Sequence, residues 1–141
     1  MLTQDHCKLF LSLFPAFKDL DPEMNFRFRQ SATYKRLSRK TRIYEAGEAC
    51  EGVLFILSGM AKVFKRSEKC HDIILHLIHR GEACAVSFSC ILDNSLYPAT
   101  ADVEEDMTLV LIPAELFKRL LSNSEAIRLL VSETLSIQSN N

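Results

Sequence analysis

Cys84 and Cys90 stand with five residues between them inside the segment Ala83–Leu92, while Cys7, Cys50 and Cys70 are scattered elsewhere. Two thiols brought close in space can close a disulfide, and a disulfide that reshapes a binding segment is the working part of a thiol redox sensor. The competing role is packing, because cysteine is among the most buried residue types and fills small apolar gaps. No Lys, Arg or His lies between residues 81 and 99 to favour a thiolate, so the local sequence leans towards packing. An odd number of cysteines without dense spacing argues against an extracellular disulfide framework and for free thiols in a cytoplasmic protein.

Metal chemistry has less to work with. His71, His76 and His79 fall on or beside one expected strand, where side chains alternate, so His71 and His79 share a face and His76 takes the other. No Cys-x-x-Cys occurs. An iron–sulfur cluster needs several closely spaced cysteines, and Cys7 is alone near the N-terminus. Haem asks only for one His or one Cys, but no motif selects it, and no cofactor is assigned. Nucleophile elbows, phosphate loops and zinc-protease motifs are missing, so no enzyme signature emerges.

Charge is distributed unevenly. Arg27, Arg29, Lys35, Arg36, Arg39, Lys40 and Arg42 form a run without an acid, and residues 101–141 are net acidic. The run could touch nucleic acid or RNA polymerase; the simpler reading is a solvated face. Aromatic residues do not interleave it and no reading helix follows, so direct DNA recognition is not expected of this chain.

The elements that must position these groups follow from periodicity. Asp5 can cap a short helix ended by Pro15, and Asp21-Pro22-Glu23 opens a second one reaching about Ala32. From Thr33 to Pro113 short period-two stretches alternate with turn residues. Ser58-Gly59 reads as a hairpin between Val53–Leu57 and Met60–Phe64, and two further strands are expected at Ala99–Val103 and Met107–Ile112. Pro113 returns the chain to helix at Ala114–Leu121, and Ser124-Glu125 caps a last helix carrying Ile127, Leu130, Val131, Thr134 and Leu135 at i, i+3, i+4, i+7 and i+8. The pattern predicts a mainly β domain: an antiparallel β-roll over 33–113, with N-terminal helices in 5–32 and C-terminal helices in 114–138. The apolar stripe of the last helix must bury either on the roll or on the same helix of a second copy, which predicts a weak homodimer or a monomer.

Several motifs, in order and spacing, carry a resemblance. Thr41-Arg-Ile-Tyr-Glu-Ala-Gly-Glu, Val53–Phe64, Gly81-Glu82, and Leu109–Pro113 followed by Phe117 resemble the cyclic-nucleotide-binding-like sensor domain of the Crp/Fnr family of bacterial transcription regulators. The likeness covers roughly residues 14 to 135, and GEACAVSFSCILDNSLYPATA looks like a subgroup with two cysteines in the ligand cassette. The resemblance implies a β-roll, a C-terminal dimerisation helix, and contact with DNA and RNA polymerase only through a helix-turn-helix domain that lies outside these residues. It also implies a ligand segment over Gly81, Glu82, Ala83, Cys84, Tyr97, Pro98 and Ala99. In relatives that bind cyclic AMP, the Gly-Glu pair starts a short helix facing the phosphate, the Glu accepts the ribose hydroxyl, and an Arg further on pairs with the phosphate.

That Arg position falls near Leu96-Tyr97-Pro98. Between Arg80 and Lys118 there is no basic residue at all, whereas Glu82, Asp93, Asp102, Glu104, Glu105, Asp106 and Glu115 are acidic. Losing one charge-assisted hydrogen bond costs about 1.5–3 kcal/mol. Ordinary cyclic-nucleotide binding is therefore not expected, and Glu82 reads as a local backbone cap. Three functions stay open: an effector sensor, a redox sensor using Cys84 and Cys90, and a stand-alone interaction module.

With 141 residues, 48% apolar and 25% charged at a net charge of −1, the composition is that of one ordinary globular domain. A uniformly basic nucleic-acid binder is excluded. No apolar run approaches the roughly 20 residues of a membrane span, and the N-terminus lacks a secretory signal, so no membrane partner is expected.

Overall fold

The computed structural model describes residues 2–69 and 71–139, so Cys70 lies outside the described residues. Helix α1 (Gln4–Leu13) is capped by Thr3, whose hydroxyl accepts the His6 N–H at 3.1 Å; Asp5 instead sits in the first turn, where its charge suits the helix dipole. After a single 3-10 turn at Pro15–Phe17, α2 (Pro22–Ser31) begins as its sequence dictates. Asp21 accepts the Met24 N–H at 2.8 Å and Pro22 fills the first helical position, where no N–H is needed.

The strands are β1 (Thr33–Leu37), β2 (Arg42–Tyr44), β3 (Gly52–Arg66), β4 (Asp72–His79) and β5 (Thr100–Pro113). They form one antiparallel sheet in the order β1-β5-β3-β4, with β2 also pairing β5. The sheet curls around an interior without closing, and helix (about 41%) exceeds strand (about 34%), so the flanking helices are as much of the domain as the roll.

Ser58-Gly59 is not a hairpin. β3 runs straight through it for 15 residues, and its pairing with β5 slips between Ile56 and Ala61. Gly59 has φ +83°, and a Cβ there would stand 2.3 Å from the Asp106 carbonyl oxygen, so the glycine serves a bulge and a close strand approach. The bulge bends one long strand, which is why two flanking apolar runs imitate a hairpin in the sequence. The real hairpin is β3–β4, and the two late strands are likewise one, β5.

Helix α3 (Ala85–Asp93) packs against β3 and the last helix, and α4 (Ala114–Asn123) and α5 (Glu125–Ser139) follow β5. Two apolar cores flank the sheet. The outer one gathers Phe10, Phe14, Phe17, Phe28, Phe55, Phe88 and Phe117, seven of the nine phenylalanines, with Phe55 in ring contact with five of the others. Each such ring removed from water contributes about 1.5–3 kcal/mol, which fixes the helices on the sheet. Ile127 and Val131 of α5 are buried in this core. The inner core fills the roll and includes Tyr44, Leu54, Ile56, Cys84, Cys90 and Tyr97.

Candidate functional site

The segment after β4 does not start a helix at Gly81-Glu82. Gly81, with φ +81°, makes the turn, and residues 81–84 then run antiparallel to β3: Gly81 N–H reaches Ile56 O at 2.9 Å, Ile56 N–H reaches Glu82 O at 3.0 Å, and Cys84 N–H reaches Leu54 O at 2.9 Å. The Glu82 carboxylate accepts the His79 N–H at 2.7 Å, a purely local cap. Helix α3 begins at Ala85, so the side chains at its start are those of Ala85 and Val86, which carry no acceptor for a ribose hydroxyl.

A side chain from α5 occupies the start of that helix. Gln138, 8% exposed, accepts the Ala85 N–H through Oε1 at 3.0 Å and donates Nε2 to the Ala83 carbonyl at 2.7 Å. Free N–H groups at a helix start are what would attract a phosphate. Here one is taken by a neutral amide of the same chain. The sequence offered no sign of this, because Gln138 and Ala85 are 53 residues apart.

Within the inner core a pair of tyrosines packs beside Cys84. Tyr97 stacks on Tyr44 with centroids 3.8 Å apart and planes 7° from parallel, and the Tyr44 hydroxyl meets the Cys84 sulfur at 3.4 Å. Burial pushes both phenols well above their ordinary value of 10, so they stay neutral. Ala99 is buried beside them, whereas Pro98 is exposed.

The two cysteines are buried, and burial raises the thiol pKa of each above the ordinary 9.0. Cys84 lies just before α3 and Cys90 on its last turn, donating to the Leu96 carbonyl at 3.6 Å. A third thiol, Cys50, joins this region from the loop between β2 and β3. Its Sγ donates to Gly52 O at 3.2 Å and to Ser87 O on α3 at 3.8 Å. Local spacing could not reveal it. Cys7 belongs to the outer core, apart from these three.

Two nearby cations have acidic partners. Arg42 pairs with Asp102 at 2.5 Å and with Glu45 at 3.2 Å, and the Asp102 hydrogen bond raises its pKa further. Lys62 lies 4.0 Å from Glu104 and 5.0 Å from the centre of the Phe64 ring. Lys35 and Arg42 edge a cleft of about 210 Å³ that is walled by Tyr44, Leu54, Tyr97 and Leu109 of the inner core and that Glu48 and Glu51 also line. His71 and His79 are exposed; His76 is half-buried with an unpartnered Nε2, and burial lowers its pKa. Among the described residues no group of three His, Cys, Asp or Glu side chains can hold a metal ion, and no helix is long and apolar enough to cross a membrane.

On α5, Ile127 and Val131 are consumed by this chain's own core, and Leu130, Thr134 and Leu135 are half-buried. The expected interface stripe is thus partly spent on the roll. Leu129 (58%) and Ile137 (61%) carry the apolar exposure instead.

Residues 34–124 match the sequence model of the cyclic nucleotide-binding domain. The chain belongs to this family. Solved structures with the same fold include a transcriptional regulator of the Crp/Fnr family from Eubacterium rectale (TM-score 0.81, 23% identity, 92% of this chain and 60% of that one). The sensor domain of the transcriptional regulator DNR from Pseudomonas aeruginosa is similar over 96% of this chain and 89% of its own (TM-score 0.76, 20% identity). The catabolite activator protein of Thermus thermophilus is similar over 89% and 58% (TM-score 0.71, 19% identity). At these identities the likeness to each structure is one of fold, and the chain spans about 60% of the length of the first regulator. Among curated proteins no sequence matches this chain.

Proposed function

We propose that this cyclic nucleotide-binding domain is the effector-sensing part of a Crp/Fnr-like regulator of bacterial transcription, working in the cytoplasm and answering to something other than an ordinary cyclic nucleotide. The observation that carries this reading is the Gln138 clasp, which ties the cassette helix α3 to the last turns of α5. A rearrangement of α3 must break these two hydrogen bonds or carry them, and in the second case α5 moves with it. A two-state element biased in this way is what a sensor needs. DNA and RNA polymerase would then be met through a helix-turn-helix domain of a longer protein, and self-association would use Leu129 and Ile137 on α5.

Hydrogen exchange tests the coupling. Replacing Gln138 with Leu is expected to raise exchange at Ala85 and, together with it, along the second half of α5. A rise confined to Ala85 would show that α5 does not follow the cassette.

One observation favours a second reading, an interaction module. Edge strand β4 exposes Ile73, Ile74, Leu75 and Leu77 in near succession, and an open apolar edge is a ready pairing surface. Sedimentation separates the two. Self-association abolished by Leu129→Lys supports the α5 interface, and abolition by Ile73→Lys supports β4.

A further inference from the structure

Cys50, Cys84 and Cys90 surround the end of the tyrosine stack, and only Cys50 is not fully buried. Its sulfur faces α3, 3.8 Å from the carbonyl of Ser87, which is one turn before Cys90 on the same helix. The Cys90 sulfur points to the Leu96 carbonyl at 3.6 Å, and Leu96 is bridged antiparallel to Ala49, the residue next to Cys50. Ser95, the next residue back from Leu96, donates its N–H to the Cys90 carbonyl at 3.1 Å. Both sulfurs therefore lie in the seam between the loop at residues 49–50 and the last turns of α3. Cys84 is held differently, at the other end of α3 and against the Tyr44 hydroxyl at 3.4 Å.

The geometry points to Cys50 and Cys90, not Cys84 and Cys90, as a peroxide-oxidisable dithiol that fastens the cassette helix to the β2–β3 loop. Cys50 is half-buried, and its neighbours Ala49 and Glu51 line a cleft shared with Leu54, Tyr44 and Tyr97, so a molecule the size of hydrogen peroxide can reach this loop from solvent. The Cys50 sulfur attacks one peroxide oxygen, the O–O bond breaks, and a sulfenic acid and water result. The Cys90 sulfur then attacks the Cys50 sulfur, the S–O bond breaks, and the Cys90 proton leaves with the hydroxide as a second water. One peroxide is reduced by two electrons, and two thiols become one disulfide. The inference stands on the thiol geometry alone and is independent of any role in transcription.

The test is peptide mapping of the native chain after treatment with one equivalent of hydrogen peroxide, with tandem fragmentation to separate Cys84 from Cys90. The expected result is a monomer about 2 Da lighter, its two missing thiols joined as Cys50–Cys90. The same bond is expected in Cys84→Ala and its loss in Cys50→Ser, with circular dichroism confirming that Cys50→Ser is folded. Reading the bond in the wild-type chain settles the matter even if a variant fails to fold. A disulfide between Cys84 and Cys90, any linkage through Cys7 or Cys70, oxygen adducts on Cys50 with Cys90 still reduced, or five unchanged thiols would each overturn it.

Discussion

Gln138 and Ala85 are joined by a hydrogen bond of 3.0 Å that places a side-chain amide of α5 at the start of α3. The bond has a partner, Gln138 Nε2 to the Ala83 carbonyl at 2.7 Å, so the side chain satisfies both a donor and an acceptor. Its removal leaves two buried backbone groups unpaired. Gln138→Leu is expected to destabilise the fold by about 2–4 kcal/mol, at 1–3 for each orphaned group with partial relaxation. Urea unfolding reads this directly, and a loss below half of a kilocalorie (roughly the error of the method) would mean that water replaces the clasp.

The tyrosine stack is the second support of the filled interior. Tyr97→Ala should cost about 3–5 kcal/mol, as for other large aromatic truncations, whereas Tyr97→Phe keeps the ring stack and should cost little. Urea midpoints of the two variants should differ by most of that amount; equal midpoints would mean that the hydroxyl, not the ring, matters.

Gly59 and Gly47 make a matched pair. Both have positive φ, but a Cβ at Gly47 meets nothing within 4 Å, while one at Gly59 strikes the Asp106 backbone. Gly47→Ala should therefore cost about 1–2 kcal/mol, the left-handed penalty alone, and Gly59→Ala clearly more. Thermal unfolding of both would check the order, and a milder effect at Gly59 would contradict the bulge as described.

His76 makes stability depend on pH. Burial lowers its pKa in the folded state, against an ordinary 6.5, while the nearby Glu82 charge partly opposes this. The unfolded chain then binds the proton more readily, so the contribution of neutral His76 is intact above pH 6.5 and is lost as pH falls from there through the folded-state value. His76→Gln should flatten the loss of stability between pH 7.5 and about 5.5 (one unit below the ordinary value) in urea titrations. An unaltered slope would assign the acid sensitivity to other groups.

Much of this was legible in the sequence, and the exceptions share a cause. Asp21-Pro22 announced α2 and Pro113 announced α4 because caps and breakers act on adjacent residues. The antiparallel sheet was legible from alternation, and the missing guanidinium from the stretch Arg80–Lys118 without a base. Ser58-Gly59 misled because a bulge and a hairpin use the same residues, and only the long-range pairing of β3 with β5 tells them apart. Glu82 was legible as a local backbone cap and accepts the His79 N–H, whereas the helix that the resemblance places at Gly81-Glu82 starts at Ala85. Gln138, Cys50 and Tyr44 were invisible as site residues because tertiary packing alone brings them to α3 and the tyrosine stack.

The central claim is that the start of α3, where an anionic nucleotide would sit, is closed by Gln138 of α5 and has no basic side chain of its own between Arg80 and Lys118. Isothermal titration calorimetry with cyclic AMP and cyclic GMP tests it most directly. No saturable heat is predicted with either nucleotide up to about 1 mM, a binding free energy weaker than about −4 kcal/mol. Stoichiometric uptake at micromolar concentration would contradict the account.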